Sequence, residues 1–304
     1  GTRVICLLCW LGRRLLANSG VCCLNLAFAS FLGLRQIGLR HKVGWCLAHG
    51  GAKARAVEAK ISCPYGMSAD EPDELLCEGA ELVRFEQYDA FMEKQHAMLA
   101  CVGVHDEDGA CAYLPALEAE LQRYQEQAYV LDPFLERLVT PVAQTMRAQV
   151  LESGCMCMAP VARLLYMYTK VRGYKVVSRF FPHQVREMPL LLDVLERFES
   201  PTWECLYVLL LWLSSMVLVP FPLDRGTPSP SERIHRLCAR FLSRPGKERD
   251  AASIVLGRLY ARQESEVLFS AFLQGAEQAT ASLEPTGVLQ TLCAFVKQAD
   301  ASVI

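Results

Sequence analysis

Cations and aromatic rings crowd together in one stretch of this chain, from Tyr166 through Tyr168, Lys170, Arg172, Tyr174, Lys175 and Arg179 to Phe180 and Phe181. Two kinds of chemistry use that mixture. Stacking rings interleaved with positive charge grip single-stranded nucleic acid, and Tyr and Arg are the commonest anchor residues of protein interfaces. The charge balance of the surrounding sequence opposes the first use, because residues 67–304 carry 22 basic and 32 acidic side chains, a net of −10 that repels phosphate backbones. Tyr168, Lys170, Arg172, Tyr174, Lys175 and Arg179 are therefore the candidate protein-binding ridge. The competing reading of the same residues is a helix pair with aromatic core positions and a cationic rim.

Signatures of covalent or nucleotide chemistry do not accompany this ridge. A phosphate-binding loop requires glycine five places before a Gly-Lys pair, and at Gly246-Lys247 that place is Phe241. Neither a G-x-S-x-G elbow nor an H-E-x-x-H pair occurs. The six histidines, His41, His49, His96, His105, His183 and His235, are scattered, and Cys6-Leu-Leu-Cys9 has no second pair at zinc-ribbon spacing. The Val104-His-Asp-Glu-Asp-Gly109 run lacks the alternating ligands of a calcium loop and reads as solvated loop. The expectation is a protein with no intrinsic active site, no metal and no cofactor.

Composition sets the frame for these residues. The chain is 52% hydrophobic and 21% charged, with a net charge of −2, which describes a globular protein and excludes disordered and collagen-like classes. That near-neutral total conceals a split: residues 1–66 hold nine Lys or Arg against the single acid Glu58, a net of +8. Six of the fourteen cysteines, Cys6, Cys9, Cys22, Cys23, Cys46 and Cys63, also lie there. Since the first Met is Met67, followed by acidic residues, residues 1–66 read as translated upstream sequence rather than a folded part. The uncharged run Leu15 to Leu34 supports the alternative of a signal anchor or organelle-targeting segment. Residues 67–110 read as an acidic amino-terminal segment with a short helix around Ala80 to Ala100. In a cytosolic protein the eight cysteines after Met67 are expected to be free thiols.

Positioning the ridge falls to helices. Leu117, Leu121, Tyr124 and Ala128 form one apolar stripe at helical spacing. Asp132-Pro133 has the form of an N-cap with proline in the first turn, predicting a helix from Pro133 to about Glu152. Pro160 opens the next, with Val161, Leu164, Leu165 and Tyr168 on one face, and Gly173 and Pro182 divide the stretch after it. Further helices are predicted over Pro189–Phe198, Trp203–Val219, Ser231–Arg244 (Ser231 as cap), Arg249–Arg262, Glu264 to about Leu283, and Thr286–Lys297. The Leu206–Val219 stretch is apolar throughout and too short for a comfortable membrane span, so it reads as a helix buried on most sides. Helices of this length, separated by Pro or Gly breaks, bury their apolar faces by stacking in pairs. The prediction for residues 111–304 is an all-α, HEAT/armadillo-like helical-repeat solenoid with a repeat of roughly 40 residues. A globular helical domain is the alternative, because no exact internal repeat is visible.

Several segments carry a family resemblance: Arg123-Tyr-Gln-Glu-Gln127, Leu131-Asp-Pro-Phe-Leu-Glu136, Tyr168-Thr-Lys-Val-Arg-Gly-Tyr-Lys175, Phe180-Phe-Pro-His183, Leu209-Leu-Leu-Trp-Leu213 and Lys247-Glu-Arg-Asp-Ala-Ala252. In order and approximate spacing they resemble the amino-terminal region of the tubulin-folding cofactor D family, over about Met67 to Ile304. The resemblance implies a cytosolic chaperone of HEAT repeats that binds β-tubulin after its release from the chaperonin. It implies partnership with tubulin cofactors C and E and an Arf-like small GTPase, and a share in stimulating tubulin's GTP hydrolysis. It further implies cytoskeletal association, including centrosomes and lateral cell junctions, with no nucleic-acid partner and no membrane span. Family members are far longer, so the chain is expected to be truncated at its carboxyl end. A membrane-anchored adaptor and a generic helical scaffold with another client are the rival expectations.

Overall fold

The computed structural model describes residues 85–152, 154–198, 201–278 and 285–298. The expectations for residues 1–66, including Leu15 to Leu34 and the Cys6–Cys9 pair, lie outside the described residues, as do those for residues 67–84 and for the carboxyl end. Among the described residues ten longer helices are paired in sequence: α1 (Tyr88–Gly103) with α2 (Glu107–Arg123), α3 (Leu135–Leu151) with α4 (Met158–Arg172), α5 (Met188–Arg197) with α6 (Trp203–Val217), α7 (Pro230–Ala239) with α8 (Lys247–Tyr260), and α9 (Glu266–Gln278) with α10 (Pro285–Gln298). The second helices of the pairs pack in series, α2 on α4, α4 on α6, α6 on α8 and α8 on α10, while α1, α3, α5 and α7 form the other row. The described residues contain no strand. This is the predicted all-α helical-repeat solenoid.

Sequence similarity hid the repeat, but the hydrogen bonds reveal it. Gln95 on α1 donates to the Leu138 carbonyl on α3, 43 residues away at 2.9 Å. Arg147 on α3 holds Glu187, 40 residues on at the start of α5, with Nε–Oε2 at 3.0 Å. Arg233 on α7 reaches back 40 residues to Asp193 and 37 to Glu196 on α5. In the other row Arg163 on α4 pairs with Glu118 on α2, 45 residues apart at 3.0 Å, and Arg258 on α8 donates to Ser214 on α6, 44 apart. Gln290 on α10 donates to Asp250 on α8, 40 apart. Each link ties an element to its equivalent one repeat away, so the period of about 40 residues is held by polar cross-links between layers of Leu, Val and Met.

The helix boundaries show which local signals won. Three expectations are corrected. The predicted 104–109 loop is cut short, helix beginning at Glu107, because the Asp106 carboxylate accepts from Gly109 N at 2.9 Å and caps α2; Glu107 and Asp108 then complement the positive end of the helix. Asp132 does not cap α3. It lies in a 3₁₀ helix, Ala128–Phe134, and its carboxylate pairs with Arg172 at the end of α4, leaving α3 to start at Leu135. The α7 cap is Ser229, not Ser231: Ser229 Oγ accepts from Glu232 N at 3.2 Å and Glu232 Oε2 accepts from Ser229 N at 3.0 Å, a reciprocal capping box with Pro230 next.

Every residue of α6 from Cys205 to Val217 is buried. A helix apolar all round must have neighbours all round. α4 and α8 flank it, α5 lies behind, and the α4–α5 connection closes over it through the Ser178–Phe180 turn and a 2.8 Å bond from Trp212 Nε1 to the Pro182 carbonyl. At the end of α6, Arg262 donates to the carbonyls of Val217 and Val219 at 2.7 and 2.8 Å, groups that a helix terminus leaves unpaired. α8 approaches α10 closely at Gly257, where an added Cβ would come within 2.5 Å of Ala294 Cβ. Among the described residues no helix is long and apolar enough to cross a membrane.

Candidate protein-binding surface

The ridge divides when folded. α4 buries ten of its fifteen residues and leaves a narrow outward stripe of Ala159, Arg163, Tyr166 and Lys170, three or four residues apart. Tyr168 lies two places from Tyr166, about 200° around the helix, and is fully buried. Its hydroxyl donates to Gln95 Oε1, the same amide that donates to Leu138, and burial raises its pKa well above the ordinary tyrosine value. Tyr168 is thus a core residue, a correction to its place in the ridge. Arg172 is spent on Asp132, Nη2–Oδ2 at 2.7 Å, and this pairing holds the Asp132 carboxyl below its ordinary pKa.

The remaining four divide at Gly173. A φ of +92° there ends α4 and turns the chain into the single helical turn Tyr174–Val177. Lys170 faces solvent on α4; Lys175 and Arg179 are exposed beyond the break, and none of the three forms an ion pair among the described residues. Tyr174 is half-buried, within electrostatic range of Tyr207 on α6 and Arg258 on α8.

What the structure adds to the stripe is a ring cluster. Tyr166 meets Trp203 edge-to-face, centroids 4.6 Å apart at 82°, and Tyr207 at 5.6 Å and 84°. Trp203 opens α6 behind the Thr202 cap and is 38% exposed, while Tyr207 is nearly covered. Beside them Arg163 clasps Glu118. The sequence signal for Trp203 and Tyr207 is their spacing of four on a predicted helix, overshadowed by the continuous apolar run after them. Rigid rings with polar edges, beside the solvent-facing cation Lys170, suit recognition of a folded protein surface.

Reactive groups are otherwise placed for packing. The seven described cysteines are free thiols, and burial pushes Cys155 up to about 11, away from the nucleophilic thiolate. His235 bonds through Nδ1 to Tyr260 Oη at 2.8 Å under α7 and α8. Among the described residues no three His, Cys, Asp or Glu side chains are placed to share a metal ion.

Comparison with known proteins bears on this surface. Residues 121–280, more than half of the chain and including α3 to α8, match the family described as tubulin-specific chaperone D-like, ARM repeat. The chain is similar to tubulin-folding cofactor D of Schizosaccharomyces pombe (strain 972 / ATCC 24843), 30% identical over 182 residues. That alignment covers 58% of this chain and 16% of the relative, so the chain spans a small part of that protein's length. No solved structure matches.

Proposed function

This chain belongs to the tubulin-specific chaperone D-like armadillo-repeat family, and on that premise we propose that it binds β-tubulin in the post-chaperonin pathway and helps to assemble or dissociate the αβ heterodimer. The observation that carries the reading is the pair of half-buried Tyr166 and exposed Trp203 beside Lys170, inside the family-matched region, on the row of second helices. Such a surface holds a client by area, rigid anchors and charge, without covalent chemistry. The bound nucleotide belongs to the client tubulin or to an Arf-like small GTPase partner. Stimulation of tubulin's GTP hydrolysis is an act of the assembly with cofactors C and E. The site of action is the cytoplasm and its cytoskeleton, extending to centrosomes and lateral junctions.

Full-length chain titrated with purified tubulin in a pulldown or interferometry assay tests this directly. Saturable binding is expected, weakened about tenfold or more in Trp203→Ala and Lys170→Glu, with the helical circular dichroism of both variants unchanged. Failure to bind tubulin while the chain is folded overturns the proposal. Calorimetry with GTP and the chain alone is expected to show no saturable heat, and such heat would overturn the non-enzymatic part.

A further inference from the structure

α7 presents arginines at positions 233 and 236 and, at its αR C-cap, 240, spaced three and four apart and therefore along one side of the helix. Together with Glu196, Pro228 and Leu237 they line a cleft of about 290 Å3 between α7, the end of α5 and the turn before α7. The arginines are not equivalent. Arg233 is neutralised by Asp193 at 2.6 Å and Glu196 at 2.7 Å, which also occupies the one carboxylate lining the cleft. Arg236 and Arg240 are exposed and form no ion pair among the described residues. The floor beneath them is the buried Leu237. This side of α7 belongs to the other row of helices from Tyr166 and Trp203.

We infer that this cleft is a docking site for an acidic peptide segment in extended conformation. Charge and spacing both argue for it. Arg presents a planar fork that pairs bidentately with carboxylate, so two unpaired arginines beside an apolar floor fit side chains ending in that group. Four helical residues advance about 6 Å. Alternate side chains of an extended strand lie on one face about 6.6 Å apart, so carboxylates at positions i and i+2 of a peptide match Arg236 and Arg240 in register. A long polyanion fits poorly, since it would extend past the cleft over a chain whose residues 67–304 carry a net charge of −10.

The test is fluorescence anisotropy with the full chain and a fluorescein-labelled Gly-Glu-Gly-Glu-Gly-Glu peptide, with the Gln analogue as control. Saturable, salt-sensitive binding of the Glu peptide alone is expected, and Arg236→Glu/Arg240→Glu should weaken it about tenfold or more. Lys170→Glu/Lys175→Glu should leave it unchanged. The basic residues 1–66 are common to every variant, so any background from them cancels in the comparison. Equal affinity for the Gln peptide, or equal weakening by both double variants, would overturn the site. A single-stranded RNA oligonucleotide that binds more tightly than the peptide and is lost with Arg236→Glu/Arg240→Glu would overturn the choice of partner.

Discussion

Replacing Tyr168 by Phe removes one oxygen from the core, and the surrounding geometry dictates the consequence. Gln95 is fully buried and uses both ends of its amide, donating to the Leu138 carbonyl and accepting from Tyr168. Without the hydroxyl, Oε1 of Gln95 is stranded in an apolar interior, at a cost of about 1–3 kcal/mol. Gln95→Leu deprives both the Tyr168 hydroxyl and the Leu138 carbonyl, and should cost about 2–4 kcal/mol by the same reasoning. The double variant leaves only the carbonyl short of its extra partner, so its loss should fall short of the sum by about 1 kcal/mol or more. Urea unfolding of the full chain followed at 222 nm measures all three, and melting temperature should drop about 2–4 °C for each kcal/mol lost. Tubulin binding by the folded Tyr168→Phe protein should be that of the parent. A loss under about 0.5 kcal/mol, additive single and double effects, or tubulin binding weakened without destabilisation would refute the assignment of Tyr168 to the core.

Two other contacts carry expected outcomes of their own. Gly257→Ala gains about 1 kcal/mol of helix propensity, yet its new methyl would sit 2.5 Å from Ala294 Cβ and 2.8 Å from the α10 backbone; net destabilisation of about 1–3 kcal/mol is expected, read as a lower melting temperature, and an unchanged or higher one would contradict the close α8–α10 approach. Burial holds His235 below its ordinary pKa of 6.5, so the unfolded chain takes up a proton first as pH falls: its contribution is complete above about pH 6.5 and declines from there down to the folded pKa. His235→Gln, which keeps a partner for Tyr260, should therefore lose less melting temperature between pH 7.5 and 5.5 than the parent, and an equal loss in the two proteins would exclude this linkage.

Much of the site is present in the periodicity alone. The spacing sets Tyr168 on the apolar face with Val161, Leu164 and Leu165, and a helix cannot turn that residue outward together with Tyr166, two positions away. Grouping residues by proximity in the chain, rather than by helical face, produces the oversized ridge. Trp203 and Tyr207 escape for a different reason. A helix buried on all sides has no polar stripe to mark where its exposed end begins, and Trp203 is distinguished only by preceding the first covered turn.

Local chemistry alone therefore determined the helical class, the breaks at Gly173 and Pro182, the acidic character after Met67 and the family motifs. Those depend on propensity, spacing and residue identity, all carried by neighbouring residues. Tertiary packing decided which charges were consumed and which stayed free. Arg172 and Arg233 lost their freedom to Asp132, Asp193 and Glu196, about forty residues away, while Lys170, Arg236 and Arg240 met no such partner among the described residues. The reason is that a repeat whose layers share little sequence encodes its cross-links only in pairs one layer apart, and those pairs exist once the layers are stacked.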